Sequence, residues 1–430
     1  MSLKRNTLWN LAGSGLPLIA ALFCIPYLLK TLGNEAFGVL TLIWALIGYF
    51  SLFDMGVGRA LTYEVSKLRS KNNMIKLDAE IASTLSAGIF LTFITGIFGA
   101  LLIWLISPVL VTNWLKISQS LQADTLKSFQ IAAIGIIPTT ITSGVRGALE
   151  GLERFAASNI NKSILGFGMF ILPTFSIMFY GNSLWHIAAY LVLARIFIVF
   201  LAFLQTKQYW SLKSKNIYLH IKPLLNYGFW ITVTGIVGPL MVYGDRFFVS
   251  AAVGAILLPL YAIPQEGLQR LLILPMALCG AAMPKIVQLK QKANGEVNVL
   301  YNQLFKQTSW GMLIICALVA ILAKPTLAWW INPQFAKDAL PIVLVLCIGI
   351  WINAMAFVPY TFMHAFGEPK QTAIFHMVEL VLYIIALWWL TNHYGLIGAA
   401  WAWVGRVLLD FSLLKFAIAK LFENNLLAVR

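Results

Sequence analysis

Charged side chains inside long apolar stretches are the residues of this sequence best suited to chemistry. They are Arg195, Glu266, Arg270, Glu379, Arg406 and Asp410, with Asp54 and Asp245 nearer the ends of such stretches. A charge at the centre of a lipid bilayer is costly, so residues of this kind usually face the interior of a helix bundle or a wet cavity. The sequence therefore predicts a polar cavity inside a membrane protein.

Four of these charges form two pairs, each within one predicted helix. Glu266 and Arg270 are four residues apart, as are Arg406 and Asp410, so each pair lies on one helix face. Such a pair can neutralise itself and make insertion tolerable, or it can line a central cavity. Both interpretations stay open at this point.

Arg195 and Glu379 have no opposite charge three or four residues away on their own helices. The guanidinium fork of an arginine matches phosphate oxygens, so we predict that Arg195, with Arg270 and Arg406, binds an anionic group in the cavity. A buried carboxyl group can take up a proton or a sodium ion, and Glu379 is therefore the predicted ion-coupling residue. The alternative for both is a structural salt bridge between helices.

Asp54 and Asp245 lie near the ends of predicted helices, where a charge is less costly. Together with Glu266 and Asp410, they are predicted to form cavity pairs or gates. Anchoring at the membrane boundary is the alternative for the two end positions.

Motifs of soluble enzyme chemistry do not occur in this chain. The sequence has no HExxH, GxSxG or GxxxxGK[ST] motif, and no GxGxxG that opens a helix. The four cysteines lie in apolar stretches without CxxC spacing, which is typical of packing residues. We predict a transporter rather than an enzyme, with no cofactor and no metal. Such a transporter either uses an ion or substrate gradient or only equilibrates its substrate.

Composition indicates that the bilayer is the solvent of this protein. Of 430 residues, 60% are hydrophobic and 11% are charged, whereas soluble domains carry about 25% charged residues. The net charge of +15 is concentrated in short segments between apolar runs. It therefore reports membrane topology and does not predict a nucleic-acid partner.

Twelve transmembrane helices are predicted from runs of about 20 apolar residues. They cover 8–29, 37–58, 83–106, 127–149, 157–180, 184–205, 224–247, 256–283, 300–323, 339–365, 370–391 and 395–421. With both termini in the cytoplasm, the inner segments hold 22 of the 31 lysines and arginines and the outer segments hold six. This partition agrees with the rule that cytoplasmic loops carry the positive charge.

The polar, basic loop from Thr206 to Lys222 divides the predicted helices six and six. The predicted organisation is an N-terminal six-helix lobe (1–206), a cytoplasmic loop (207–222) and a C-terminal six-helix lobe (223–430). Two lobes that both start inside would be parallel repeats about an axis along the membrane normal.

Short motifs in both halves resemble a known family. They are LGNEAFG at 32–38, FDMGVGRA at 53–60, GALEGLERF at 147–155, and the segment from Asp245 to Tyr261. Their order and spacing resemble the Wzx-type O-antigen and polysaccharide flippases of the multidrug/oligosaccharidyl-lipid/polysaccharide (MOP) exporter superfamily. One departure is Leu258-Pro259-Leu260, where a glycine is expected before Tyr261.

The resemblance implies two MATE-like six-helix lobes around a central cavity and transport by alternating access. It also implies an undecaprenyl-diphosphate-linked oligosaccharide as cargo, carried from the inner to the outer leaflet of a bacterial cytoplasmic membrane. The predicted partners are the lipid-linked oligosaccharide, the lipid bilayer, H+ or Na+ bound at Glu379, and polysaccharide-assembly proteins.

Three other functions are alternatives. An ion-coupled multidrug exporter of the same superfamily would share the fold. Three arginines and three acidic residues lie within the predicted helices, so the sign of the cavity charge does not separate an exporter from a flippase. A membrane glycan polymerase or ligase normally needs a large outer loop, and the longest one here, about 107–126, is modest. A peptidoglycan-precursor flippase is less favoured because that branch usually carries two further helices.

Overall fold

The computed structural model describes residues 3–49, 53–69, 74–210, 217, 219–224, 237–238, 240–290 and 296–427. Within those ranges all regular structure is helical, and no strand occurs. Seven helical stretches among them are long and apolar enough to cross a membrane. The predicted class, an all-α integral membrane protein, is confirmed; the count of twelve spans stays a prediction.

The chain divides into two compact units, Met1–Phe247 and Phe248–Arg430. Helices of the first unit are α1 (Leu3–Tyr49), α2 (Val57–Arg69), α3 (Met74–Val109), α4 (Gln119–Ile134), α5 (Ile136–Gly151), α6 (Phe155–Tyr180) and α7 (Leu184–Gln205). A π-helical turn, Leu110–Trp114, follows α3, and a short helix, Lys207–Trp210, follows α7.

Helix α8 (Asp245–Val253) begins in the first unit and continues into the second. The second unit then holds α9 (Leu258–Gln269), a 3-10 turn (Arg270–Leu272), α10 (Ile273–Lys290), α11 (Glu296–Trp330), α12 (Pro333–Ala365) and α13 (Pro369–Leu427). The predicted boundaries at 206 and 222 stay predictions, and most of the predicted 224–247 helix lies outside the described residues.

Two glycines break the longest helices. Gly33 in α1 has φ 78° and ψ 168°, and Gly395 in α13 has φ 61° and ψ −141°. Only glycine adopts such conformations at low cost. Each therefore separates two helical arms, close to the predicted gaps after residues 29 and 391.

The predicted helix 37–58 extends too far. Helix α1 ends at Tyr49, and a turn at 54–56 has Met55 at φ 48° and Gly56 at φ 67°. The sequence stays apolar through this region, so composition alone gave no sign of the break. The described turn redirects the chain into α2, which is amphipathic and less hydrophobic than a membrane span.

Helices α2 and α5 pack at unusually close range. The hydroxyl of Thr62 donates a hydrogen bond to the carbonyl oxygen of Gly147, at 2.9 Å. A Cβ atom on Gly147 would overlap the carbonyl oxygen of Gly58. The motifs at 53–60 and 147–155 therefore meet in one helix pair of the first unit, and the glycines make that approach possible.

Candidate functional site

A compact group of ionisable side chains lies on α13 in the second unit. The imidazole of His376 and the carboxyl groups of Glu379 and Asp410 each place one nitrogen or oxygen atom within 4.8 Å of the others. Glu379 is 1% exposed. We call these three residues the carboxyl–imidazole cluster.

The break at Gly395 brings these residues together. Glu379 lies close to Asp410, Tyr383 lies close to Arg406, and the carbonyl of Leu390 lies close to Gly398. Along these pairs one residue number rises while the other falls. The two arms of α13 therefore run antiparallel, and the cluster lies where they face each other.

A cavity of about 190 Å³ adjoins the cluster, and both arms of α13 line it. Its polar lining residues are Glu379, Tyr383 and Arg406. The Arg406 guanidinium lies over the Tyr383 ring, 5.7 Å from its centroid, a cation–π arrangement that holds the arginine in place. The remaining lining is apolar: Leu382, Ala386, Leu390, Trp401, Ala402, Gly405 and Leu409.

The two carboxyl groups of the cluster are not fully satisfied. Glu379 Oε1 and Asp410 Oδ1 are buried and have no hydrogen-bond partner among the described residues. One carboxyl oxygen of Glu379 and one of Asp410 lie within 4.8 Å of each other. A hydrogen bond between the two groups requires a proton on one of them, because a carboxylate can only accept. This arrangement is suited to holding one positive charge.

Tyrosine and histidine rings continue from the cluster towards the end of α12. The ring centroids of His376 and Tyr360 are 6.2 Å apart, and those of Tyr360 and His364 are 4.3 Å apart. Thr372 Oγ1 lies 3.3 Å from His364 Nε2. His376 is not among the site residues predicted from the sequence, although its spacing of three residues from Glu379 places both on one helix face.

Glu266 and Arg270 form the ion pair that their spacing predicts, with 2.5 Å between Arg270 Nη2 and Glu266 Oε1. The arginine side chain is 41% exposed and the glutamate 30%. Neither residue lines the cavity beside Glu379. Self-neutralisation and a binding role both remain compatible with this geometry.

Arg195 lies in α7 of the first unit and is partly buried. Its Nη1 donates to the backbone carbonyl of Leu191 at 2.7 Å. In the part of the chain that the structure describes, no acidic side chain lies within ion-pair distance of it. The alternative of a salt bridge thus has no partner there, and the remaining guanidinium donors can bind a ligand.

The two aspartates near helix ends are held in different ways. Asp54 accepts from the backbone N–H of Gly56 at 2.9 Å and from the Ser143 hydroxyl, so it ties the turn before α2 to α5. Asp245 is 1% exposed in the first turn of α8. The contacts of Asp54 are those of an anchor; a gating role for either residue stays a prediction.

Arg154, in the 147–155 motif, crosslinks the ends of two helices. Its guanidinium donates to the Gln205 carbonyl at 2.8 Å and to Gln208 Oε1 at 3.1 Å. Asn161 and Gln205 exchange two side-chain hydrogen bonds. This motif therefore fastens α7 to the start of α6.

Residues 3–290 match the family described as "Polysaccharide biosynthesis protein". The chain belongs to this family. It is 32% identical over 433 residues to a Shigella flexneri protein named "Putative O-antigen transporter", with 99% of this chain and 100% of the relative covered. The predicted membership of the Wzx-type branch is thereby confirmed, as is a transporter rather than an enzyme.

Solved structures of the MOP superfamily share the fold. An inward-facing MATE family multidrug transporter matches with a TM-score of 0.75 at 13% identity, covering 100% of this chain and 95% of that one. The lipid II flippase MurJ in an inward closed conformation matches with a TM-score of 0.75 at 16% identity, covering 98% and 90%. The family fold is therefore present along the whole chain.

Proposed function

We propose that this protein is a flippase that moves a lipid-linked oligosaccharide from the inner to the outer leaflet of a bacterial cytoplasmic membrane. The observation that carries the proposal is the identity of 32% with an O-antigen transporter over both full lengths. We assign an undecaprenyl-diphosphate-linked repeat unit as cargo and alternating access as the mechanism. Both termini lie in the cytoplasm in this proposal, as the distribution of basic residues predicts.

The physical problem is the head group, because the polyprenyl tail can stay in lipid throughout. A diphosphate with attached sugars would have to cross about 30 Å of hydrocarbon without its hydration shell. An unpaired ion alone faces a large desolvation cost there. A protein that supplies fixed cations and polar groups along the way removes most of that cost.

Arg195, Arg270 and Arg406 are the cations proposed for this task. Arg195 retains guanidinium donors that bind no described residue, and Arg406 borders the cavity beside Glu379. Arg270 is already paired with Glu266, so cargo must compete with that carboxylate. We therefore rank Arg195 and Arg406 ahead of Arg270 as ligands of the diphosphate.

Release of the cargo requires the attraction between the arginines and the diphosphate to weaken on the outer side of the membrane. Glu379 is the proposed coupling residue, because a change of one unit in its charge alters the field around Arg406 and can bias the two conformations of the carrier. Energy then comes from an ion gradient.

A multidrug exporter is the second candidate. Its supporting observation is the buried carboxyl pair of Glu379 and Asp410 beside an otherwise apolar cavity, since acidic groups in apolar surroundings suit organic cations. The MATE-like fold is equally compatible with it.

Deletion of the gene separates the two candidates. The flippase proposal expects surface polysaccharide to disappear and lipid-linked repeat units to accumulate on the inner leaflet, with both restored by the wild-type gene. A deletion strain that still exports its glycan and becomes sensitive to cationic drugs would replace the flippase with the multidrug exporter.

A further inference from the structure

We infer that the carboxyl–imidazole cluster is a proton-binding site and that Tyr360 and His364 form its proton path to the end of α12. The inference rests on the proposed transport function, which it deepens by naming the coupling ion and its route. It concerns only residues of the second unit.

The first support is the way the cluster is built. Two carboxyl groups and one imidazole lie within 4.8 Å of each other, and Glu379 is almost fully buried with one oxygen unpartnered among the described residues. A proton on either group supplies the donor that two carboxylates lack, since a carboxylate can only accept a hydrogen bond. Without it, two adjacent carboxylates would repel each other in surroundings of low dielectric constant.

The second support is the surroundings, which suit a proton better than a hard metal cation. Hard cations such as Mg²⁺ and Ca²⁺ take six or more oxygen atoms in proteins. Next to the cluster, the cavity offers mainly aliphatic side chains, with the Tyr383 hydroxyl as an additional oxygen. A proton needs only one donor and one acceptor.

The third support is the line of rings that leads away from the cluster. His376 approaches the Tyr360 ring, Tyr360 approaches His364, and His364 lies beside Thr372 close to the turn at 366–368. Imidazole and phenol groups can both donate and accept a proton. The predicted topology places this turn at the cytoplasmic side, whereas the cavity on the other side of Glu379 is mostly apolar.

Proton transfer along this line balances without any further reactant. A proton leaves the Glu379–Asp410 pair for His376, passes through Tyr360 and His364 or an intervening water, and reaches the aqueous phase; loading is the reverse. Among the described residues, five charged or titratable groups face the Glu379–Asp410 pair. His376 and Tyr383 are on the arm of Glu379, Arg406 is on the arm of Asp410, and Tyr360 and His364 are on α12. Arg406 compensates the additional negative charge after the proton leaves.

Infrared spectroscopy of the purified full-length protein in lipid nanodiscs tests the site without any cargo. After a pH jump at constant sodium concentration, we expect the carbonyl stretch of a protonated buried carboxyl group to rise at low pH and fall at high pH. Glu379→Gln and Asp410→Asn should each remove that signal. Sodium chloride added at fixed pH, with choline chloride as the control, should leave it unchanged.

The rate of the same signal tests the path. His376→Gln and Tyr360→Phe should leave the protonated carboxyl group present but slow its response by on the order of a hundredfold, the lower end of the range for loss of a positioned acid or base. His393→Gln is the matched control, because His393 is exposed at the far end of its arm.

Three results would overturn the inference. A wild-type protein without any carboxyl signal that follows pH has no proton site, and one whose signal is abolished by sodium at fixed pH has a sodium site. Unchanged rates in His376→Gln and Tyr360→Phe would remove the path. None of these readouts involves export, so each can fail while the flippase proposal stands. Conversely, a protein that keeps the carboxyl signal but moves no glycan would refute only the flippase proposal.

Discussion

At the scale of single residues, charges of the second unit are brought together in two ways, by spacing along one helix face and by contact between the two arms of α13. The pair Glu266–Arg270 followed from spacing on one helix. The proximity of Glu379 to Asp410 did not, because it depends on the antiparallel arms of α13 on either side of Gly395. His376 could have been found from its spacing to Glu379 and Tyr383, which places all three on one face.

Arg195→Ala should impair export while membrane insertion and abundance stay normal. A hydrogen bond to a charged group contributes about 1.5–3 kcal/mol, so its loss predicts a decrease on the order of tenfold to a hundredfold. Export is measured as surface polysaccharide and abundance by immunoblotting. Lys324→Ala, at an exposed position of α11, is the control and should export normally.

If export survives in each of three single variants, these arginines do not hold the head group. The variants are Arg195→Ala, Arg270→Ala and Arg406→Ala.

Exchange of the charges at 266 and 270 separates the two roles of that pair. In the double variant Glu266→Arg and Arg270→Glu the ion pair can re-form, so a purely neutralising pair should retain normal abundance and normal export. If Arg270 contacts cargo, export should fall while abundance recovers relative to either single variant. The proposal that ranks Arg270 last expects a decrease smaller than that of Arg195→Ala.

At the scale of helices, composition predicted which helices exist better than it predicted where they begin and end. The predicted helix 184–205 coincides with α7, since its apolar run is bounded by polar residues on both sides. The predicted helix 37–58 was wrong at its C-terminal end. The turn at 54–56 depends on contacts of Asp54 with Gly56 and Ser143, not on a loss of hydrophobicity that composition could reveal. Helix α4 begins at Gln119, ahead of the predicted start at 127. Its first turns are polar, so a prediction from apolar runs did not include them.

Gly147→Ala should destabilise the protein more than an alanine at an open glycine. The added methyl group would overlap the backbone of Gly58, and overpacking of this kind costs typically about 1–3 kcal/mol. We expect lower abundance in the membrane and a lower melting temperature of the purified protein.

Gly311→Ala in α11 is the matched control, because no other described residue outside the adjacent helix backbone places an atom within 4 Å of a Cβ atom there. Equal stability of the two variants would show that α2 and α5 do not require this close approach.

At the scale of the whole molecule, the fold is shared with transporters at 13–16% identity. The bilayer explains why the class could be predicted from one sequence, since every membrane-buried backbone group must be satisfied internally and helices do so within one segment. The number of spans and the arrangement of helices depend on kinks and on contacts distant in sequence, which composition does not encode.

Reporter fusions test the predicted topology. A reporter after Lys213 should lie in the cytoplasm and one after Asn332 should lie outside, because the inner segments hold 22 of the 31 basic residues. Activity of a cytoplasmic reporter at Asn332, or of an exported reporter at Lys213, would reverse the orientation and with it the direction of the proposed proton path.

The central claim is that this protein moves a lipid-linked oligosaccharide between leaflets, and purified protein in lipid vesicles tests it most directly. A polyprenyl-diphosphate oligosaccharide is placed in both leaflets, and a membrane-impermeant glycosidase is added outside. We predict that the wild-type protein makes the entire pool accessible with time, Arg195→Ala does so more slowly, and protein-free vesicles lose only the outer-leaflet pool. If the inner pool stays protected in vesicles that contain folded wild-type protein under an imposed proton gradient of either direction, the protein is not a flippase for this cargo.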